Sequence, residues 1–201
     1  MVVQTAPEIN GIFEIHITVT QPCNEQKFIE TCKLLQVKPV LIELPYGESP
    51  KQLMTSSWTK GNETTAIQTA NELANKLRTE GYSVSRVKVE ACASNEGVPL
   101  HPLYGSKRYF EFHLKINIED EAVLNDSIAP YHGHLSASSL KSQPNIKFVT
   151  LRMYDKGKIE ALQILQKLVE EISTTRNTIL ATHREYAVYD SNINLDAGWV
   201  E

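Results

Sequence analysis

Residues 13–20 read FEIHITVT and residues 110–117 read FEFHLKIN, so one pattern occurs twice, with a shift of 110 − 13 = 97 residues. Apolar and polar residues alternate in both copies, which predicts two β-strands with one buried and one polar face each. Each polar face carries a glutamate and a histidine two residues apart, and these are Glu14 with His16 and Glu111 with His113. Because residues two apart on a strand project side by side, we expect each glutamate to lie beside its histidine.

The composition is that of an ordinary globular protein and narrows the classes of partner. The chain has 201 residues, of which 41% are hydrophobic and 22% charged, and its formal net charge is -4. Nucleic-acid binders usually carry a concentrated basic stripe, but here lysine and arginine are scattered among acidic residues, so we expect no nucleic-acid partner. No apolar run approaches the roughly 20 residues that cross a bilayer, so we expect no membrane contact.

The three cysteines, Cys23, Cys32 and Cys92, do not form a closely spaced metal-type pair. Their odd number and the lack of a signal-peptide pattern at the first residues predict a cytoplasmic protein. Cys32 falls on the apolar stripe of a predicted helix, which favours a buried structural thiol.

Periodicity predicts the same order of elements in both halves: strand, helix, strand, strand, helix, strand. This is the order of the ferredoxin-like split βαβ fold. The sequence therefore predicts an α+β protein with a tandem duplication of a ferredoxin-like βαββαβ unit, in which two antiparallel sheets form an internal pseudo-dimer. The predicted repeats span 12–95 and 109–192, with residues 96–108 as a linker, and we expect them to pack as one unit.

Individual elements follow from local signals. Helices are predicted over 24–36, between Asn62 and Gly81, over 121–128 and after Gly157. Strands are predicted over 40–44, 52–59, 84–91, 135–140, 147–154 and 179–190, besides the two repeated stretches. The helix over 121–128 has the weakest periodicity, because Pro130 and small residues follow it.

The fold predicts where the polar residues meet. Both helices of a ferredoxin-like unit cover one face of its sheet, so the apolar strand residues should face the helices, and burial of each is worth roughly 1.5–3 kcal/mol. If the two remaining faces meet, they form a polar cleft or the interior of a barrel. The predicted catalytic residues there are His16 and His113, and the predicted ligand-binding residues are Glu14, Thr18, Arg86, Lys88, Glu90, Glu111 and Lys115. The alternative is a solvated sheet face, which shows the same alternation.

The first functional hypothesis is a small anionic or phosphorylated ligand in the cleft, with His16 and His113 on opposite sides. Lys115, Arg86, Lys88 and Arg152 would supply compensating charge. Residues 16–19, HITV, resemble half of the signature of two-histidine phosphoesterases. That family is bilobal, and the resemblance implies phosphodiester cleavage in which one histidine acts as base and the other as acid. The second copy, from His113 to Lys115, has lysine where the family has a hydroxyl residue.

The second hypothesis is a divalent transition metal such as Zn²⁺, Fe²⁺ or Mn²⁺. Two imidazoles and two carboxylates suit these ions, and the predicted ligands are Glu14, His16, Glu111 and His113. Residues 183–185, HRE, offer a further charged cluster on the last strand.

The third hypothesis is a non-catalytic interaction or scaffold module, because this fold hosts enzymes and binding domains alike. Its candidate partner surfaces are the loop 95–108 and the C-terminal tail with Trp199. No phosphate-cradling glycine loop or dinucleotide fingerprint occurs, so we expect no dinucleotide cofactor. The sequence identifies neither a reaction nor an oligomeric state.

Overall fold

A computed structural model describes residues 8–138 and 143–199. The eight strands are β1 (Asn10–Val19), β2 (Lys38–Glu43), β3 (Lys51–Asn62), β4 (Val84–Cys92), β5 (Tyr109–Asn117), β6 (His134–Ser138), β7 (Ile146–Tyr154) and β8 (Thr178–Asp190). The four α-helices are α1 (Glu25–Leu34), α2 (Glu63–Thr79), α3 (Glu121–Ile128) and α4 (Lys158–Ser173). Two short 3-10 helices, Ala129–Tyr131 and Ile193–Asp196, complete the described chain.

Capping side chains and a glycine mark the ends of α1 and α2. The side chain of Asn24 accepts a hydrogen bond from the amide of Lys27, and Asn62 caps α2 in the same way through Thr65. These bonds satisfy amides that have no partner inside a helix. Gly81 follows α2 with a φ of +90°, a left-handed conformation that glycine adopts without steric cost. Of the strand predicted over 135–140, residues 139 and 140 lie outside the described residues.

The predicted α+β class and the two βαββαβ-like repeats are confirmed, but the prediction of two sheets is wrong. All eight strands form one closed antiparallel sheet in the order β1-β3-β2-β6-β7-β5-β8-β4. The halves join at two places, where β4 pairs with β8 and β2 pairs with β6. Each join pairs the outermost strands of the two halves, so the backbone groups that separate sheets would expose find partners.

Closure separates an apolar outer layer from a polar interior. Phe13, Ile15, Phe110 and Phe112 are fully buried in the hydrophobic core between the sheet and the four helices. Residues two apart on a strand share a face, so the intervening polar residues must point into the closed sheet. The polar faces of the two repeats therefore meet inside a single barrel.

The residues that follow β8 close one end of this barrel. The 3-10 helix Ile193–Asp196 lies there, and Trp199, only 5% exposed, donates its indole N–H to the carbonyl oxygen of Leu135 at 3.2 Å. We call this the tail end. At the opposite end, which we call the histidine end, His183 is exposed and His16 and His113 are partly exposed.

The described helices include none that is both long and apolar enough to span a membrane. Cys32 is fully buried as predicted, and burial raises the pKa of its thiol to about 12.

Candidate functional site

The interior of the barrel contains a cavity of about 320 Å³. All nine residues that the sequence predicted for a polar cleft line it: Glu14, His16, Thr18, Arg86, Lys88, Glu90, Glu111, His113 and Lys115. Arg86 and Lys88 are each 5% exposed and Glu90 is 1% exposed, so these strand residues do not form a solvated surface.

A dense ion-pair network fills the tail end of the cavity. Arg86 binds Asp190 at 2.6 Å and Asp196 at 2.9 Å, and Arg152 binds Glu111 and Asp196, each at 2.6 Å. Burial alone would raise the pKa of Asp196, but the charges of Arg86 and Arg152 outweigh it and lower that pKa. Both guanidinium groups are therefore fully engaged by carboxylates of the chain itself.

Lys88 links this network to the middle of the cavity. Its ammonium lies 2.6 Å from Glu111 Oε1, to which it donates a hydrogen bond, and 2.7 Å from Glu90 Oε1, where it forms an ion pair without hydrogen-bond alignment. Burial opposes ionisation of Glu111, yet Arg152 and Lys88 hold its pKa well below the usual value. Lys88 and Glu111 are thus a charged and mutually neutralised pair.

His16 presents a ring nitrogen to two carboxylates. Its Nδ1 lies 3.2 Å from the carbonyl oxygen of Thr55, which can only accept, so Nδ1 carries a hydrogen. The other nitrogen, Nε2, lies 3.5 Å from Glu14 Oε1 and 3.5 Å from Glu90 Oε2. Nε2 thus faces carboxyl oxygens, and imidazole nitrogen with carboxylate oxygen is a donor set that transition-metal ions take in proteins.

His113 repeats this arrangement in the second half. Its Nδ1 lies 3.0 Å from the hydroxyl of Thr150, and its Nε2 lies 3.3 Å from Glu111 Oε1 and 3.8 Å from Glu185 Oε2. Each histidine is therefore held by the strand beside it, with Nε2 turned towards glutamates. A fixed Nδ1 contact of this kind is what orients metal-binding histidines in proteins.

Glu185 is the least neutralised acid of the cavity. Burial, with the charges of Glu90 and Glu14, raises its pKa well above the usual value. Within the described residues, its buried Oε1 receives no hydrogen bond from an amide, a hydroxyl or a basic group. A buried carboxyl group without a donor or a basic partner is stable when it is protonated or when it binds a cation.

Three potential metal ligands converge beside these histidines. One donor atom from each of Glu90, His113 and Glu185 lies within 4.8 Å of the other two. Of the predicted metal residues, His113 belongs to this group and His16 borders it through Glu90. Glu14 instead accepts a hydrogen bond from Ser56 at 2.6 Å, and Glu111 is neutralised by Lys88 and Arg152.

Acids outnumber bases in the described interior. Six carboxylates take part in the contacts above, from Glu14, Glu90, Glu111, Glu185, Asp190 and Asp196, against three basic groups, from Arg86, Lys88 and Arg152. Among the residues of these contacts alone, the excess is three negative charges when every carboxyl is ionised. Lys115 also lines the cavity, half-buried at the histidine end, and no ion pair of its ammonium is found within the described part of the chain.

Several residues of the site were not assigned to it from the sequence. Asp190 is the last residue of β8 and Asp196 lies beyond that strand, so the alternation of the strands does not assign them to the interior. Glu185 was noted only as part of a charged run. Ser56 and Thr150 lie opposite His16 and His113 on β3 and β7, and only strand register identifies them. The sequence would reveal Ser56 and Thr150 only if the pairing of β1 with β3 and of β5 with β7 were already known.

The two surfaces of the scaffold hypothesis differ. Trp199 is buried and lines the cavity, so it is not a free partner surface. The loop 95–108 does expose apolar side chains, those of Leu100, Leu103 and Tyr104.

No family model matches the chain, and no curated protein matches it. Among solved structures, the chain is similar to the small subunit of acetolactate synthase from Thermotoga maritima. That likeness has 14% identity and a TM-score of 0.31, and it covers 89% of this chain and 95% of that chain. At this identity and score it carries no functional argument.

Proposed function

We infer that this protein binds a divalent transition-metal ion inside the closed sheet, where the ion anchors a small anionic molecule. The observation that carries this proposal is the convergence of Glu90, His113 and Glu185, whose donor atoms lie within 4.8 Å of one another. His16 is the fourth proposed ligand, because its Nε2 lies 3.5 Å from Glu90 Oε2. Two imidazoles and two carboxylates suit Zn²⁺, Fe²⁺ or Mn²⁺.

The distances support a small adjustment on binding. Donor atoms about 2.1 Å from a common ion lie about 3–4 Å apart. The separation of at most 4.8 Å among Glu90, His113 and Glu185 therefore calls for movements of less than about 1 Å in these three side chains. His113 and Glu185 are already 3.8 Å apart at Nε2 and Oε2.

The electrostatics support a cation in the same place. A bound divalent ion offsets part of the negative charge of these carboxylates, and a buried charge without compensation is costly. It also gives the Nε2 atoms of His16 and His113 a positive group to face in place of carboxylate oxygens. The raised pKa of Glu185 favours its neutral form, which lowers the same negative charge when no metal is bound.

The anionic ligand is supported by the histidine end. A volume of about 320 Å³ suits a small molecule. Lys115 lines this end without an ion pair in the described residues, and the exposed Lys38 lines it as well. Arg86 and Lys88 already hold two carboxylates each, so we assign the compensating charge to Lys115 and to the metal ion.

Isothermal titration calorimetry on chelator-treated protein tests this function, with Zn²⁺ and Mn²⁺ as separate probes. We expect one ion per chain. His113→Ala and Glu185→Gln should each weaken binding by about 100-fold, while His101→Ala in the exposed loop should leave affinity unchanged. Equal affinity in all four proteins, or no binding to the wild type, would contradict the proposal and leave only histidine–glutamate ion pairs.

A further inference from the structure

We propose that Arg86 and Arg152 form a separate binding site for the carboxylate group of a small organic acid, and that Asp196 occupies this site in the ligand-free protein. The metal site described above is not needed for this inference. It concerns the tail end of the cavity, whereas the proposed metal ligands lie between the middle and the histidine end.

The contacts of Asp196 are those of a bound carboxylate. Its Oδ2 accepts hydrogen bonds from Arg86 Nη1 at 2.9 Å and from Arg152 Nη2 at 2.6 Å, and its Oδ1 accepts one from Gln52 Nε2 at 2.8 Å. Two guanidinium groups and an amide thus converge on one carboxylate. Charge-assisted hydrogen bonds of this kind are among the strongest that proteins use to recognise acids.

The basic site is built without help from Asp196. Arg86 is also held by Asp190 through two hydrogen bonds, at 3.0 and 2.6 Å, and Arg152 is also held by Glu111 at 2.6 Å. The Tyr109 ring lies 4.7 Å from the guanidinium carbon of Arg152, as in a cation–π contact. Loss of Asp196 would therefore leave both arginines in place, each with one carboxylate and with capacity for a second.

The segment that carries Asp196 into the cavity is short. It lies on a four-residue 3-10 helix whose own capping position makes no side-chain hydrogen bond. Beyond it, Ala197 accepts a backbone hydrogen bond from Glu48 at 3.0 Å and Trp199 binds Leu135. Asp196 and Trp199 both line the cavity, so a ligand that displaces the carboxylate would also move the wall of the tail end.

The site thus favours a molecule with a free carboxylate and little bulk behind it. A ligand that carries a second acidic group would reach further into the cavity, towards Lys88 and the histidines. This matches a carboxylate better than a phosphate ester, because the three donors meet two oxygens, with Arg86 and Arg152 on one and Gln52 on the other.

Acetate is the first probe, and Asp196→Ala is the variant that vacates the site. We expect Asp196→Ala to bind acetate, measured by calorimetry at constant ionic strength with chloride as the reference anion. Adding Arg152→Gln to that variant should weaken acetate binding at least tenfold. Asp196→Asn serves as a second variant if the alanine protein does not fold, and it should bind acetate more weakly because its amide still fills the space.

Tail displacement is tested on a chain with Asp196 intact. Of the two tryptophans, Trp58 is 55% exposed and Trp199 is buried, so a Trp58→Phe protein reports on Trp199 alone. Succinate should shift its emission to longer wavelength in a saturable manner. Failure of Asp196→Ala to bind acetate, undiminished binding in the Arg152→Gln double variant, or an unchanged Trp199 emission at saturating succinate would each overturn the inference. None of these results bears on metal binding.

Discussion

Glu90 and Glu185 occupy equivalent positions in the two repeats, because Glu90 pairs with Glu14 between β4 and β1 and Glu185 pairs with Glu111 between β8 and β5. His16 and His113 follow Glu14 and Glu111 by two residues in the same way. The proposed metal ligands are therefore two equivalent pairs, one histidine and one glutamate from each half. A site of this kind exists only when the halves close into one sheet.

Lys88 is the first target for a prediction, since its ammonium lies 2.7 Å from the proposed ligand Glu90. Lys88→Met removes the charge that neutralises Glu90 and Glu111, so the metal-free protein should lose about 3–5 kcal/mol of stability. The same change frees Glu90, so saturating Zn²⁺ should stabilise the variant more than it stabilises the wild type. Urea unfolding with and without Zn²⁺ measures both effects.

Lys167→Met, on the exposed side of α4, is the matched control for this prediction and should change neither quantity. An equal gain from Zn²⁺ in the wild type and in Lys88→Met would show that the lysine does not compete for the cation site.

Glu111 should contribute mainly to the stability of the fold, because Lys88 and Arg152 both bind it inside the barrel. Glu111→Gln should lower the free energy of unfolding by about 3 kcal/mol, since each cation keeps a second carboxylate partner. Glu121→Gln removes the partly exposed pair with Lys147 and should cost less than about 1 kcal/mol. Chemical denaturation of the two variants should separate them clearly, and equal small losses would mean that the buried network contributes no stability.

Acid should weaken the attachment of the tail. The charges of Arg86 and Arg152 lower the pKa of Asp196 below its unfolded value of about 3.9, against the effect of burial. Because the unfolded chain then takes up the proton first, the stabilisation by Asp196 is present above about pH 4 and is lost as the pH falls through the folded pKa. Asp196→Asn should be less stable than the wild type at pH 7, by about 1–3 kcal/mol.

This difference should narrow below about pH 4, as unfolding curves at pH 7, 5, 4 and 3 would measure. Asp126→Asn, on an exposed position of α3, is the control. A wild-type advantage that stays constant down to pH 3 would rule out an ionised Asp196 as its source.

Gly157 should hold the loop 95–108 against the start of α4. A Cβ atom there would lie less than 3.0 Å from backbone atoms of Leu100 and His101, although its φ of −95° suits any residue. Gly157→Ala should therefore destabilise the fold by about 1–3 kcal/mol through overpacking. Gly81→Ala meets open space and should cost only the strain of its left-handed backbone, about 1 kcal/mol. The melting temperatures of the two variants compare these costs, and a smaller loss for Gly157→Ala would mean that the loop yields easily.

The repeats and the polar faces could be predicted from sequence because both depend on local alternation. Residues 13–20 and 110–117 show on which side their glutamates and histidines lie, whatever the rest of the chain does. The pairing that closes the sheet could not be chosen from sequence, since nothing in the periodicity of β4 or β8 specifies that they pair with each other. The prediction of two sheets failed at this point.

The equivalence of Glu185 and Glu90 could not be read from the sequence, because the two repeats differ by two residues in the spacing between the paired glutamates. Glu90 follows Glu14 by 90 − 14 = 76 residues, whereas Glu185 follows Glu111 by 185 − 111 = 74 residues. A constant shift of 97 residues therefore aligns Glu185 with Lys88 and conceals its equivalence to Glu90. Asp196 was hidden for another reason, because a polar tail with a four-residue 3-10 helix has no periodicity that indicates its burial.

The most direct test of the central claim is a crystal structure of the zinc-loaded protein with anomalous diffraction recorded on both sides of the zinc absorption edge. We predict one anomalous peak within the closed sheet, about 2.0–2.2 Å from donor atoms of His16, His113, Glu90 and Glu185. A cavity without a peak, or a zinc ion bound by residues outside the barrel, would contradict the account.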